Sequence, residues 1–459
     1  MYEAFDIEYL KELIRLHNQP EIEQTIKTCL PADLADLLSD LSEKDQKYFF
    51  EILPSDVATK VFEFLDPSTQ LEILKLLSAS EVSNLLNAIA PDDRTAFLEK
   101  LPPKSLNEYL RLLSPPEQSV ALKLLGYPEN SVGRLMTPDF LAVRKEWSVK
   151  QVLDYIRAYG HDSETINLIY VVDEKGKLLD DIKIKEFLFV SPTYKVSDLM
   201  DNSFIALNVT DDQEVAVNSF KKNNRGALPV IDSHGILKGI VTIDDVLFVA
   251  EEEDTEDIQK IGGVEALEDP YMESPLLLLI RKRAFWLVIL FVGELFTASA
   301  MAFFEEDIAK AVALALFVPL IISSGGNSGS QASSLIIRAL ALGEITLRDW
   351  WKVMGREIIS GLLLGSVLAV IGFIRIGIWT LFTDIYGPHW FLLALTVSLS
   401  LIGVVTWGTI MGSMLPLLIK RLGGDPALSS APFVATLVDV SGIIIYFSIA
   451  LLILKGIML

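Results

Sequence analysis

The chain has 459 residues, with 39 Lys+Arg against 61 Asp+Glu, and 51% of it is apolar. The two characters separate along the chain: residues 1–283 hold 30 basic and 51 acidic side chains and residues 284–459 hold 9 and 10, so the net charge of −22 falls almost wholly on the first part. A wholly soluble protein is excluded, a nucleic-acid partner is disfavoured because a phosphate backbone would meet a repelling field, and the acidic soluble part invites cations. The single cysteine, Cys29, excludes a disulfide framework, a Cys-rich zinc site and an iron–sulfur cluster, and reads as a small core residue. The opening Met1-Tyr2-Glu3-Ala4 has neither a basic nor an apolar signal region. No cleaved signal is expected, and the N-terminal part is placed in the cytoplasm.

Residues 1–130 repeat. Leu30-Pro31-Ala32-Asp33 is echoed by Leu53-Pro54-Ser55-Asp56, Leu77-Ser78-Ala79-Ser80 and Leu101-Pro102-Pro103-Lys104, and a second series runs through Ser42, Asp66-Pro67, Pro91-Asp92 and Ser114-Pro115. Each phrase opens a short stretch with apolar residues at helical spacing. Pro is tolerated in the first turn, where its missing N–H has no partner to lose, and Ser or Asp before it can cap. The expectation is two short helices per repeat, stacked so that each buries its face on its neighbours. Plain scaffolding is an equally open use for such an array.

Over residues 131–257 the pattern turns strand-like and duplicates. Ile169-Tyr170-Val171-Val172-Asp173-Glu174-Lys175-Gly176 returns 59 residues later as Leu228-Pro229-Val230-Ile231-Asp232-Ser233-His234-Gly235. Each copy continues with a strand and a helix, Ile182 to Phe189 and Ile240 to Val249. This region resembles a tandem pair of CBS domains, regulatory β-α-β-β-α units whose clefts hold adenosine nucleotides in some members. The resemblance implies ribose contacts from Thr242 and Asp245 in Gly239-Ile240-Val241-Thr242-Ile243-Asp244-Asp245, with ATP as the ligand. The first copy departs from that pattern, with Lys183 and Glu186 in the matching places. The run Glu251-Glu252-Glu253-Asp254-Thr255-Glu256-Asp257 carries six acids in seven positions. It is either a solvated helix end or linker, or a site for a divalent cation that relieves the repulsion.

A connecting helix is expected over 258–283, broken near Gly262-Gly263 and Pro270. Beyond it, 284–303, 309–342, 358–382, 390–419 and 432–454 are each near or above the roughly 20 residues a bilayer requires, which gives five spans over 284–459. Arg281, Lys282, Arg283, Arg348, Lys352, Arg356, Lys420 and Arg421 all fall on the side of the N-terminal modules, which makes that side cytoplasmic. Asp439 lies inside the fifth span, where a charge costs about 2.5–3.5 kcal/mol on insertion scales. It is therefore expected to face a wet interior, unless Arg338 or Arg375 pairs with it. The polar run Ser323 to Ser334 interrupts span two, and its glycines either open the helix or let backbones approach closely. Glu294 in span one either pairs with span two or serves the ion pathway.

Gly325-Gly326-Asn327-Ser328-Gly329-Ser330-Gln331 resembles the GGNxGxQ signature of the MgtE family of magnesium transporters. Leu335-Ile336-Ile337-Arg338-Ala339-Leu340, Leu347-Arg348-Asp349-Trp350, Asp425-Pro426-Ala427 and Val434 to Asp439 are also similar to that family, as is the order of parts. The resulting fold class is multi-domain: an all-α helical repeat N domain, an α/β tandem CBS pair and an α-helical transmembrane domain of five spans. The resemblance implies a homodimer in the lipid bilayer of the cell (inner) membrane, with the fifth spans flanking a pore. It implies that Asp439 holds Mg2+ through water, beside the Ala435 carbonyl and Thr436. Gly325, Gly326, Asn327, Ser328, Gln331, Glu294 and Asp425 fall in pore-lining or structural motifs. It further implies a cytosolic Mg2+ sensor of Asp92 or Asp93, Asp245, Glu253, Glu256 and Asp257 that holds the pore shut when Mg2+ is high. Two departures stand out: Ala431 where the family often has Asn, and Phe248 where an acid is often found. No catalytic triad or Walker loop is present, so no enzyme is expected. The rival readings are a membrane-anchored cation or nucleotide sensor without conduction, and a transporter of another divalent cation such as Co2+, Mn2+, Ni2+ or Ca2+. Hard oxygen ligands argue against soft-metal selection.

Overall fold

The computed structural model describes residues 7–267, 271–272 and 274–457, and the chain divides after Glu253 into two units that are taken separately. The opening Met1-Tyr2-Glu3-Ala4 and the expected break at Pro270 lie outside the described residues.

In the first unit the repeat phrases become helix starts. Helices Pro31–Ser39, Glu43–Ile52, Ser55–Phe64, Pro67–Leu76, Ala79–Ala88, Pro91–Glu99, Pro103–Leu110 and Pro115–Leu125 follow one another. Asp66 caps its helix by accepting from the Ser68 and Thr69 amides, both at 2.9 Å, and Ser78 forms a reciprocal capping box with Glu81. Ser42 differs: its hydroxyl donates to the Asp45 carboxylate at 2.7 Å instead of accepting from the backbone. Buried Leu34, Leu38, Phe49, Val61, Phe62, Ile73, Leu86 and Leu98 form a continuous core through the stack. Cys29 is partly buried against that core, its thiol donating to the Thr25 carbonyl.

A second regularity was not visible as a phrase. Gln46 donates to the Leu38 carbonyl, Gln70 to Phe62 and Gln118 to Leu110. Each side chain reaches back eight residues to the end of the preceding helix, and the donors recur every 24 residues. The missing member of the series is Arg94, fully buried, which donates to the Leu86 carbonyl at 3.2 Å and reaches on to the Glu117 carboxylate at 2.5 Å. One polar donor per repeat thus satisfies a helix-end carbonyl that would otherwise be buried without a partner.

Strands β1 (Ala142–Arg144), β2 (Leu168–Val172) and β3 (Leu178–Lys183) form one sheet; β4 (Leu207–Asn208), β5 (Ala227–Ile231) and β6 (Leu237–Thr242) form its copy. In each, the first pair is parallel and the second antiparallel, with Ile169 opposite Ile182 and Leu228 opposite Val241. The hairpins turn at Gly176 and Gly235, whose φ values of +83° and +78° suit glycine. Tyr170, Leu168 and Leu178 of one copy pack with Ala227, Leu237 and Ile240 of the other. The helix expected in the first copy is short, Ile184–Leu188. That of the second runs without a break from Ile243 to Ile261, so the acidic run lies within a helix and is not a linker.

In the second unit that helix ends at Gly262-Gly263, where Gly263 has φ +73°. Residues 258–283 do not form a helix of their own: 258–261 finish the preceding one, and Leu276 to Arg283 open the first membrane helix, Leu276–Phe303. The other spans are Val312–Ala341, Leu347–Trp379, Trp390–Arg421 and Ala431–Leu454, each long and apolar enough to cross a membrane. Span two is broken between Ala315 and Val318, not at the polar run, which is helical throughout Val318–Ala341. The Tyr446 hydroxyl donates to the Leu314 carbonyl at that break, at 2.8 Å, which satisfies backbone freed at membrane depth.

Candidate ion-binding sites

In the first unit, helix Pro91–Glu99 places Asp92 and Asp93 in its first turn, where the helix dipole favours negative charge. Asp245, in the first turn of Ile243–Ile261, comes to the same place and accepts from the Thr242 hydroxyl at 2.5 Å. Asp92 is 6% exposed, and its Oδ1 has no hydrogen-bond partner. Asp93 is pushed up to about 7, by burial first and then by repulsion from Glu63 and Glu164. Asp245 is also raised to about 7, by burial against the opposing Thr242 bond, with Asp93, Asp244 and Glu164 adding repulsion. Burial and then Glu164 raise Glu63 to about 7, and burial with Asp245 and Asp93 holds Asp92 well above the carboxylate range.

A cleft of about 60 Å³ opens among Asp92, Asp93, Glu99, Arg134, Gln213 and Asp245. That is room for one or two waters or a small ion, at roughly 30 Å³ per water. Arg134, the base among these, is engaged at 3.1 Å with Glu99 and at 2.8 Å with the Tyr127 carbonyl. Among the described residues no three His, Cys, Asp or Glu side chains form a preassembled metal-ligand set. The acids share a field and not a tight coordination sphere, an arrangement that suits a cation keeping its waters.

The other acids named from the sequence are placed differently. Glu253 accepts from Gln213 Nε2 at 2.8 Å and so borders the cleft. Glu256 is ion-paired with Lys260, which also holds Asp425 at 2.7 Å. Burial opposes the charge on Lys260, but Asp425 and Glu256 outweigh it and raise the ammonium's pKa. Asp257 is partly buried on the same helix. Asp425 also accepts from the Ala427 amide at 2.8 Å, capping the turn before span five. Glu63 and Glu164 escaped sequence reasoning. Glu63, set between Phe62 and Phe64 in an otherwise apolar helix end, was the available signal; Glu164 carried none. Phe248 meets Phe64 edge-to-face at 6.2 Å, so an aromatic contact joins the array to the CBS pair where an acid was expected.

In the second unit the glycines of span two serve close approach. A methyl on Gly325 would lie 2.5 Å from Val404 Cγ1, and one on Gly412 would lie 2.0 Å from the Gly329 carbonyl oxygen. A side chain on Gly326 would meet Ala435 Cβ at 3.4 Å and Asp439 Oδ1 at 3.6 Å, so the bare glycine leaves room beside that carboxylate. Ser330 and Ser333 donate to the carbonyls of Ala431 and Ser429, at 3.1 and 2.8 Å, tying span two to the start of span five. Ser328 is buried with its Oγ unpartnered, whereas Asn327 and Gln331 are exposed on this chain, Asn327 donating to Ser323 Oγ at 3.4 Å. The Thr436 hydroxyl is turned back to the Pro432 carbonyl at 3.0 Å, which commits it to its own helix. Arg375 lies 3.9 Å over the Trp379 ring and Arg338 is exposed; among the described residues neither pairs with Asp439.

This geometry places an acid with no paired base among the described residues on an apolar helix against a glycine-rich partner. The family model described as a divalent cation transporter, MgtE, matches residues 318–449, the MgtE intracellular N domain matches 30–130, and the CBS domain matches 132–191 and 196–252. The magnesium transporter MgtE of Thermus thermophilus is 41% identical over 325 residues, covering 71% of this chain and 70% of that protein. The chain belongs to the MgtE family of divalent cation transporters. The magnesium transporter MgtE of Enterococcus faecalis is 30% identical over 318 residues, covering 69% of this chain and 68% of that protein. Among solved structures, the cytosolic domain of the Mg2+ channel MgtE in complex with ATP aligns at 31% identity with a TM-score of 0.51, covering 53% of this chain and 99% of that one. The soluble part of a magnesium transporter, 23% identical, shares the fold with a TM-score of 0.50 over 54% of this chain and 97% of that one. The MgtE family is one of transporters and not enzymes, and its member here is a multi-pass membrane protein with a soluble N-terminal part.

Proposed function

We propose that this protein conducts Mg2+ down its electrochemical gradient across the cell membrane, and that cytosolic Mg2+ closes it. The observation that carries the reading is Asp439: a carboxylate within a membrane span, beside the open space left by Gly326 and with no base among the described residues to neutralise it. An anchor that only tethers a sensor has no use for such a charge, which costs about 2.5–3.5 kcal/mol at mid-membrane. In a homodimer two copies of Asp439 face one path, and a hydrated Mg2+, which gives up its waters reluctantly, is held through water by those carboxylates and the Ala435 carbonyls. The named relatives, magnesium transporters, support the choice of ion.

The cytoplasmic sensor is the cleft of Asp92, Asp93 and Asp245, widened by Glu63, Glu164 and Glu253, with Asp257 nearby in sequence. Ions bound there hold the repeat array on the CBS pair and shift the protein toward its closed state by their differential affinity. Glu256 is given a structural part, since Lys260 already meets its charge. Thr242 and Asp245 also border the place where an adenosine nucleotide is expected, and the ATP-bound relative supports that site.

The test is Mg2+ flux in proteoliposomes containing the full chain. Wild type conducts, Asp439→Asn loses at least nine-tenths of the flux, and Asp93→Asn with Asp245→Asn conducts but is no longer inhibited by Mg2+ on the cytoplasmic face. Equal flux from wild type and Asp439→Asn removes the pore assignment. Absence of flux from well-inserted wild type favours the tethered sensor.

A further inference from the structure

Span one carries an acid that the pore assignment leaves without a task. Glu294 lies in the middle of Leu276–Phe303 and is exposed on this chain. A carboxylate facing lipid at that depth is disfavoured, so its surroundings in the membrane are wet or protein. The contact beside it shows which span lies next to it. Gly293 packs on span five so closely that a methyl there would lie 2.7 Å from Thr436 Cγ2. Thr436 precedes Asp439 by one helical turn, and the two spans run in the same direction because both are odd-numbered. One turn beyond Gly293, on the same helical face, is Thr297: it is 8% exposed, and its Oγ1 has no hydrogen-bond partner. A threonine at such a position ordinarily donates to the carbonyl four residues back, as Thr436 does to Pro432. Asp439 therefore lies on the stretch of span five next to this contact, and among the described residues no base pairs with it or with Glu294. The contact between spans one and five thus has an acid next to it in sequence on span one, an acid one turn from it on span five, and an unsatisfied hydroxyl on span one.

We propose that Glu294 is a second acid of the Mg2+ path, a specificity-determining residue that shares the ion's field with Asp439 across the span one–span five seam. This rests on the pore reading above. Two carboxylates per chain raise the charge along the path, so they favour a divalent over a monovalent cation.

The experiment is flux through the full chain in proteoliposomes, read at varied Mg2+ on the uptake side and in competition with Na+. Glu294→Gln should raise the half-saturating Mg2+ about tenfold, the order expected when one charge acting on a divalent ion is removed from a moderately polar site, and should lower the preference for Mg2+ over Na+. Glu294→Asp should restore most of both. Glu294→Gln in an Asp439→Asn background should cost less than in wild type, because the two act on one ion. A role in packing alone would change protein yield or thermal stability and leave both ion readouts untouched, and that result overturns the proposal. If Asp439→Asn also leaves flux intact, the pore reading itself has failed; if only the Glu294 variants match wild type, the pore stands and Glu294 is outside it.

Discussion

At the scale of single residues, the Mg2+ role proposed for the acid cluster would set protons and Mg2+ in competition. Asp93, Asp245 and Glu63 have folded-state pKa values near 7, above the roughly 4 of an unfolded carboxylate. The folded cluster therefore binds extra protons, and the stability this contributes is present at low pH and lost as pH rises from about 4 through about 7. Above that window the carboxylates are charged, which is the form a metal needs. Protease protection of the cytoplasmic part of the full chain, titrated with Mg2+, should have a higher midpoint at pH 6 than at pH 8, and protection without Mg2+ should be better at pH 6. Equal midpoints would mean that the cluster is not the Mg2+ site. The grouping was legible in part: the family resemblance named Asp92 or Asp93 together with Asp245, and these side chains line one cleft. Their elevated pKa values were not, because they arise first from burial and then from repulsion among acids far apart in sequence, Glu164 and, for Asp93, Glu63 among them, that meet the cluster only through packing. Glu256 shows the opposite limit. Its membership of an acidic run concealed a partner, Lys260, one helical turn away.

Among elements, the 24-residue interval has a second meaning. The phrases that begin helices are legible because Pro, Ser and Asp act locally. The Gln46, Gln70 and Gln118 bonds were not, since a glutamine looks the same whether it faces solvent or a buried carbonyl. Arg94 is the informative exception. It keeps the repeat's bond to the helix end and adds an ion pair to Glu117, so it pins helix Pro91–Glu99, which carries Asp92 and Asp93, to Pro115–Leu125. Arg94→Ala should destabilise the array by about 3–5 kcal/mol, the usual cost of breaking a buried pair. Arg94→Gln, which restores the residue of the other repeats, should cost about 1 kcal/mol or less, because Glu117 is left partly in water. Thermal unfolding of the two variants separates the cases, and equal losses would show that the repeat bond contributes little. In the membrane the polar run was read with two outcomes open. Helix Val318–Ala341 is unbroken because Gly325 and Gly329 lie against Gly408 and Gly412 with no side chains between them, and the close contact supplies the attraction that apolar surface cannot supply in lipid.

For the whole molecule, the separation of charge from grease located the membrane part correctly, because a bilayer excludes charge and needs length, and both can be counted along a chain. What composition could not show is how few of the acids in the soluble part gather: many face water, while Asp92, Asp93 and Asp245 line one small cleft and Glu63 and Glu164 add to its field. The aromatic pair of Phe64 and Phe248 lies alongside that volume and takes no ion. An edge-to-face pair contributes about 0.5–1.5 kcal/mol beyond the area it buries, and half-exposed rings belong at the lower end. Such a contact biases the array toward the CBS pair by a factor of roughly two to five at every Mg2+ concentration, including none. Under the proposed gating this contact supplies a built-in set point: resting flux in Mg2+-free solution would fall short of the maximum, and less Mg2+ would suffice to silence the protein than the acids alone demand. Phe248→Ala should raise the Mg2+-free flux and move the inhibition curve to higher Mg2+ by the same factor, leaving its steepness unchanged. Phe248→Asp should steepen the curve as well, because the contact that ignored the ion becomes one that requires it.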